Sequence, residues 1–152
     1  MLIVEYLSKS YHRFLNDMPQ TANHDSRFLI TFNGASYNNL ISAVNDLSSF
    51  SQKKVLHSTA IIDKTADVSV ASLFSDARIS RDILLFEKAD LLFTKKTAVK
   101  NAHQCETGFN LNNLFKNIAK HNGVVVLATE ETQTLSASMS SKVDVLIRFP
   151  SV

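Results

Sequence analysis

Apolar residues at Leu2, Ile3, Tyr6, Leu7, Tyr11, Phe14, Leu15 and Met18 recur three and four positions apart, the spacing of one face of an amphipathic helix. The pattern predicts an N-terminal helix over residues 1–18 that ends before Pro19. The polar stretch from Gln20 to Ser26 reads as a loop, and Arg27 to Phe32 as a first strand closed by Asn33-Gly34. A second helix is expected from Ser36 to Phe50, with Leu40, Ile41, Val44 and Leu47 on one stripe. Lys54 to Ala60 gives a second strand, and Asp67 can cap a helix over Val68 to Ala77. Ile83 to Phe86 is a third strand, four apolar residues that suit a sheet covered on both faces. Leu111, Leu114, Phe115, Ile118 and Ala119 follow at helical spacing, with Asn122-Gly123 as the stop. Val124 to Ala128 is the fourth strand and Val143 to Phe149 the fifth, before Pro150. Strands alternating with helices imply a three-layer α/β/α sandwich around a mostly parallel five-stranded sheet, in a single domain spanning 1–152.

Composition narrows the function classes. The chain has 152 residues, 45% of them hydrophobic, enough for one core that removes about two thirds of the unfolded surface from water. A formal charge of +2 is too small to point to nucleic acid, and the basic run Lys95, Lys96, Lys100 with His103 reads as a solvated loop. No apolar run approaches the roughly 20 residues that span a bilayer, so a cytoplasmic protein without a membrane partner is expected. A single cysteine, Cys105, excludes an intrachain disulfide and a thiolate metal cluster, and the five histidines lack paired ligand spacing. Ser36 has no flanking glycine elbow to make it a hydrolase nucleophile. Only three glycines occur in the chain, and only Gly34 lies where a phosphate-cradling loop could form.

Ile83-Leu84-Leu85-Phe86-Glu87-Lys88-Ala89-Asp90, then Leu91 to His103, then Gly123-Val124-Val125-Val126-Leu127-Ala128-Thr129 follow one another in an order similar to the AAA+ ATPase core of the P-loop NTPase superfamily. The likeness covers about 70 residues, with weaker support upstream from Phe28 to Phe32 and Val70 to Ala77. Resemblance to that family implies a Walker B strand ending at Glu87, Lys88 and Asp90, a sensor position at Glu130, and arginine-finger positions at Ser141 and Lys142. It also places a phosphate loop at Asn33 to Leu40, with Gly34, Ser36, Asn38 and Asn39 as its binding residues, and pore-loop positions at Ile62, Asp63 and Lys64.

This sequence departs from the family at its working positions. The phosphate loop has one glycine and no lysine. Lys88 stands where a carboxylate would polarise water, a loss of about 100-fold or more for a general base. Glu130 would repel a γ-phosphate, and Ser141 with Lys142 lacks the guanidinium fork of an arginine finger. The helical lid of the family is expected to be missing after the fifth strand. The resemblance thus implies a catalytically inactive pseudo-ATPase acting as an interaction or scaffold protein, associating with itself or with an active AAA+ relative. Catalytic residues and cofactors are not expected, although ATP with magnesium, the metal on Glu87, is what the family would bind. The alternative is an ATP-binding protein with weak or residual ATPase activity.

Overall fold

In a computed structural model of the protein, the described residues are 1–22, 27–59, 74, 82–87, 89–90, 118, 120–135 and 137–150. Six strands, β1 (Leu2–Glu5), β2 (Phe28–Asn33), β3 (Val55–Thr59), β4 (Ile83–Glu87), β5 (Val124–Ala128) and β6 (Val145–Arg148), form one sheet. Its order is β1-β6-β2-β5-β4-β3, and every pair is parallel. Three helices are described in addition, α1 (Lys9–Ala22), α2 (Tyr37–Ser51) and a short α3 (Ala137–Lys142).

The α/β class and the parallel sheet agree with the sequence pattern, but the strands among the described residues number six rather than five. The sixth strand comes from the segment expected to open a helix. Leu2 to Glu5 pairs with β6, with Leu2 opposite Val145 and Val4 opposite Ile147. Leu7 then turns the chain at φ 65°, and Ser8 starts α1 by accepting a hydrogen bond on its Oγ from the Tyr11 amide at 3.3 Å. Helix α1 also runs through Pro19 to Ala22 instead of stopping before the proline. A proline in the last turn costs the helix one amide donor, and burial of Phe14, Leu15 and Met18 holds the remainder.

Both faces of the central strands β2, β4 and β5 are buried, which explains their unbroken apolar runs. Val4, Ile30, Phe32, Leu85, Val126 and Ile147 pack with α1 and α2 on one face. Leu29, Leu84, Phe86, Val125 and Leu127 pack with Met139 and Val143 on the other. The alternation follows the two-residue period of a strand. Helices α1 and α2 are joined by the buried Tyr11, whose hydroxyl donates to Asp46 Oδ2 at 2.8 Å. Burial first, then that hydrogen bond and the Asp46 charge, push the Tyr11 hydroxyl far above its ordinary pKa. On α2 the inward stripe is Leu40, Ala43, Val44, Leu47 and Ser51, with Ile41 only half-buried.

Candidate functional site

Helix α2 follows β2 onto one face of the sheet, whereas the chain after β5 passes to α3 on the other. Connections that leave neighbouring parallel strands in opposite directions open a crevice at their carboxyl ends. A cavity of about 530 Å³ lies there, lined by Ala35, Ser36, Tyr37, Leu40, Glu87, Ala128, Thr129 and Glu130. Glu87 ends β4 and is half-buried, while Glu130 follows β5 and is exposed.

The turn from β2 into α2 contains only Gly34, Ala35 and Ser36, because Asn33 ends the strand and Tyr37 begins the helix. Gly34 sits at φ +76°, and a Cβ there would lie 2.6 Å from Thr132 Oγ1 and 3.3 Å from the Thr132 backbone. Both the backbone angle and the close approach therefore require glycine. The Gly34 amide donates to Thr129 Oγ1 and the Ala35 amide to the Thr129 carbonyl, each at 2.9 Å. Ser36 Oγ accepts from the Asn39 amide at 3.3 Å and so caps α2. The Gly34 and Ala35 amides that a phosphate loop would turn toward an anion are thus engaged within the protein.

The segment after β5 is held from two sides. Asn33 Oδ1 accepts from the Gln133 amide at 2.8 Å, and Asn33 Nδ2 donates to the Gln133 carbonyl at 2.9 Å. Thr129 Oγ1 lies 2.9 Å from the Glu131 carbonyl and 3.3 Å from Asn33 Oδ1. Its single proton goes to the nearer acceptor. Asp90 accepts from the amides of Glu130 and Glu131, each at 3.1 Å, and from Gln133 Nε2 at 3.2 Å. Its carboxylate thereby braces this loop.

The structure brings Gly34, Ser36, Glu87 and Glu130 to one crevice, with Asp90 behind the Glu130 loop. Asn38 and Asn39 belong to the first turn of α2 rather than to a loop. Ser141 and Lys142 end α3, just before Asp144, whose amide donates to the Leu29 carbonyl near the start of β2. They therefore lie at the amino end of the sheet, away from the crevice. Lys88, Ile62, Asp63, Lys64, Lys95, Lys96, Lys100, His103 and Cys105 lie outside the described residues. Among the described residues no group of three or more His, Cys, Asp or Glu side chains is arranged to hold a metal ion. No described helix is long and apolar enough to cross a membrane.

Sequence reasoning missed Thr129 and Gln133 as partners of the β2 turn. The available signal was Gly34 beside a buried Asn33, since such a pair calls for a close backbone neighbour.

No family model matches the chain, and no curated protein sequence matches it. The fold is similar to a chain of a solved structure described as an E. coli MS115-1 HORMA:CdnC:Trip13 complex. The TM-score is 0.62 at 10% identity, and the match covers 98% of this chain. The chain spans 64% of the length of that neighbour. At this identity the likeness is one of fold alone. Membership of the AAA+ core, expected from the sequence, does not stand: no family model or curated sequence supports it, and the structural neighbour is described by its HORMA complex. The P-loop and Walker labels fall with it. An apolar strand ending in acids and a Gly-Val-Val-Val-Leu-Ala-Thr strand are what a sheet buried on both faces demands of its central strands, so their likeness reports a shared physical requirement rather than a family.

Proposed function

We propose that this chain is a non-catalytic protein-interaction domain, a scaffold that binds another copy of itself or a different protein. One observation carries the reading: the amides of Gly34 and Ala35 and the Asp90 carboxylate, groups that anion or metal chemistry at the crevice would draw on, are engaged in bracing the 129–133 segment. Glu130, exposed on the cavity wall, adds to this, because a carboxylate there opposes a polyphosphate. The structurally similar chain belongs to a complex of several proteins, which is in keeping with an interaction role. A cytoplasmic setting belongs to the same reading and rests on the single cysteine and the modest apolar runs.

A second reading, weak nucleotide binding with residual hydrolysis, is favoured by the size of the cavity and its place at the carboxyl ends of parallel strands. A thermal-shift titration with ATP and ADP, with and without magnesium, separates the two. The interaction reading expects no shift at millimolar nucleotide. Saturable, magnesium-dependent stabilisation, which reaches about 2.7 kcal/mol at a hundred times the dissociation constant, would replace it with the second reading.

A further inference from the structure

Among the described residues β1 is an edge of the sheet, bonded to β6 on one side only. The Leu2 amide donates to the Asp144 carbonyl and the Tyr6 amide to the Arg148 carbonyl, each at 2.9 Å. Backbone groups of a strand alternate in direction, so Leu2, Val4 and Tyr6 address β6, while the N–H and C=O of Ile3 and the N–H of Glu5 face outward. The Glu5 carbonyl is already taken, accepting from the Ser8 amide at 3.1 Å and from the Ser8 hydroxyl at 2.6 Å. Six large apolar side chains are exposed among the described residues, and Met1, Leu2, Ile3 and Leu7 are four of them, so apolar exposure gathers beside this open backbone. Neither proline nor lysine guards the strand, and its one charge, Glu5, is paired with Arg148. On the α1 side, Leu2 borders a groove of about 490 Å³ that is also lined by Arg13 and Asp17, two exposed residues one turn apart on α1.

We propose that β1 pairs antiparallel with β1 of a second copy of this chain, about a twofold axis at Ile3, so that two sheets continue into one. The inference rests on the interaction reading above and names its partner and surface. A second copy is the occupant because the edge is complementary to itself. Ile3 opposite Ile3 of the second copy exchanges the outward N–H and C=O of each, and the Glu5 amide meets the carbonyl of Met1. Only this register satisfies the free groups: pairing Ile3 with Glu5 calls on the Glu5 carbonyl that Ser8 occupies, and pairing Glu5 with Glu5 also opposes two carboxylates. Leu2 then lies opposite Val4 of the second copy, and the two Ile3 side chains meet on the other face. Charge agrees with the same symmetry. The twofold that reverses β1 also reverses α1, which brings Arg13 of each copy toward Asp17 of the other.

The test is sedimentation velocity of the full 152-residue chain, loaded from about 10 µM to about 1 mM because a four-residue strand makes a small interface. Mass should rise with concentration from 16.9 kDa toward twice that value and no further. Ile3→Pro removes an amide that β6 does not use, so the variant should keep the wild-type far-UV circular dichroism while its dimer dissociation constant rises about tenfold or more. Ile3→Lys, at an exposed side chain, should weaken the dimer likewise and stands in if the proline variant fails to fold. Arg13→Asp should weaken it about threefold to tenfold, and Arg13→Asp combined with Asp17→Arg should restore it. A monomer at every concentration, a dimer indifferent to the Ile3 variants, or a charge swap that restores nothing would overturn the proposal. Magnesium ATP is the separate arm: stabilisation by it removes the interaction reading itself, whereas a monomer that ignores nucleotide removes the edge dimer and leaves binding of a different protein in place.

Discussion

Replacing Asn33 by alanine tests whether the crevice wall is braced as described. Asn33 is 4% exposed, and its amide makes two short hydrogen bonds to the backbone of Gln133, at 2.8 and 2.9 Å. Each such bond contributes about 1 kcal/mol net, and each partner left unpaired in a dry site costs about 1–3 kcal/mol. Gln133 is half-buried, so water recovers part of that second cost. The expected loss is then about 2–3 kcal/mol. In a chain of this size that lowers Tm by about 4–12 °C. Urea unfolding followed by far-UV circular dichroism should show the midpoint falling by about 1 M with an unchanged slope. Asn33→Asp sharpens the test, since a protonated acid can still donate to the Gln133 carbonyl but a carboxylate turns an oxygen lone pair toward it. The folded-state pKa of such an acid is raised above its ordinary value of about 3.9. Its destabilisation therefore grows as pH rises through that value, and the variant should lie closer to wild type near pH 4 than at pH 7. A loss below about 0.5 kcal/mol in Asn33→Ala, at the level of an ordinary surface change, would refute the brace.

Thr31→Val should stabilise the protein by about 1 kcal/mol, because Thr31 is fully buried and its hydroxyl oxygen has no hydrogen-bond partner; differential scanning calorimetry reads this as a rise in Tm. Gly34→Ala should cost about 2 kcal/mol or more in the same measurement, combining a positive φ with a contact to Thr132 that includes backbone. Tyr11→Phe should lose about 1 kcal/mol at neutral pH with the Asp46 hydrogen bond. The pH dependence has a definite sign: Tyr11 and Tyr6 are both raised in the fold, so the neutral phenols contribute stability that is present below pH 10 and is lost as pH climbs toward their folded values. Urea midpoints measured between about pH 9 and 11 should therefore fall less in Tyr11→Phe than in wild type. Finally, Val4→Ala should cost about 1.5–3 kcal/mol, whereas Glu5→Gln should cost no more than about 1 kcal/mol and lose its effect in salt. Val4 is fully buried, while the Glu5–Arg148 ion pair is more than half exposed.

The central elements were legible because burial on both faces leaves a simple signature. Leu84 to Phe86 and Val124 to Ala128 could hardly be read otherwise, and β5 begins and ends where the pattern put it. The edge strand was not legible. Leu2 and Ile3 are exposed and Val4 is buried, so β1 carries no clean alternation, and its residues fall by chance in phase with the helix that follows. Ser8, three positions before Tyr11, was the local sign that the helix starts there. Pro19 misled in the opposite sense, because packing of α1 outweighs one missing donor near its end. At the crevice, the positions of Gly34, Glu87 and Glu130 followed from strand ends. Their roles did not, since the partners of Asp90 lie about 40 residues away, and those of Asn33 about 100 away. Hydrogen bonds across such separations leave no periodicity in the chain.

The residue types that suggest chemistry on paper become braces once those long-range partners are known. Asp90 accepts two backbone amides and a side-chain amide, and Thr129 receives the Gly34 amide while giving its proton to the Glu131 carbonyl. A carboxylate with three donors of this kind has fewer lone pairs left for a metal, and a glycine amide already bonded at 2.9 Å has no hydrogen to offer an anion. Satisfying these groups internally has a second consequence. The 129–133 backbone is held as a fixed wall, so its position beside the crevice is set before anything occupies it.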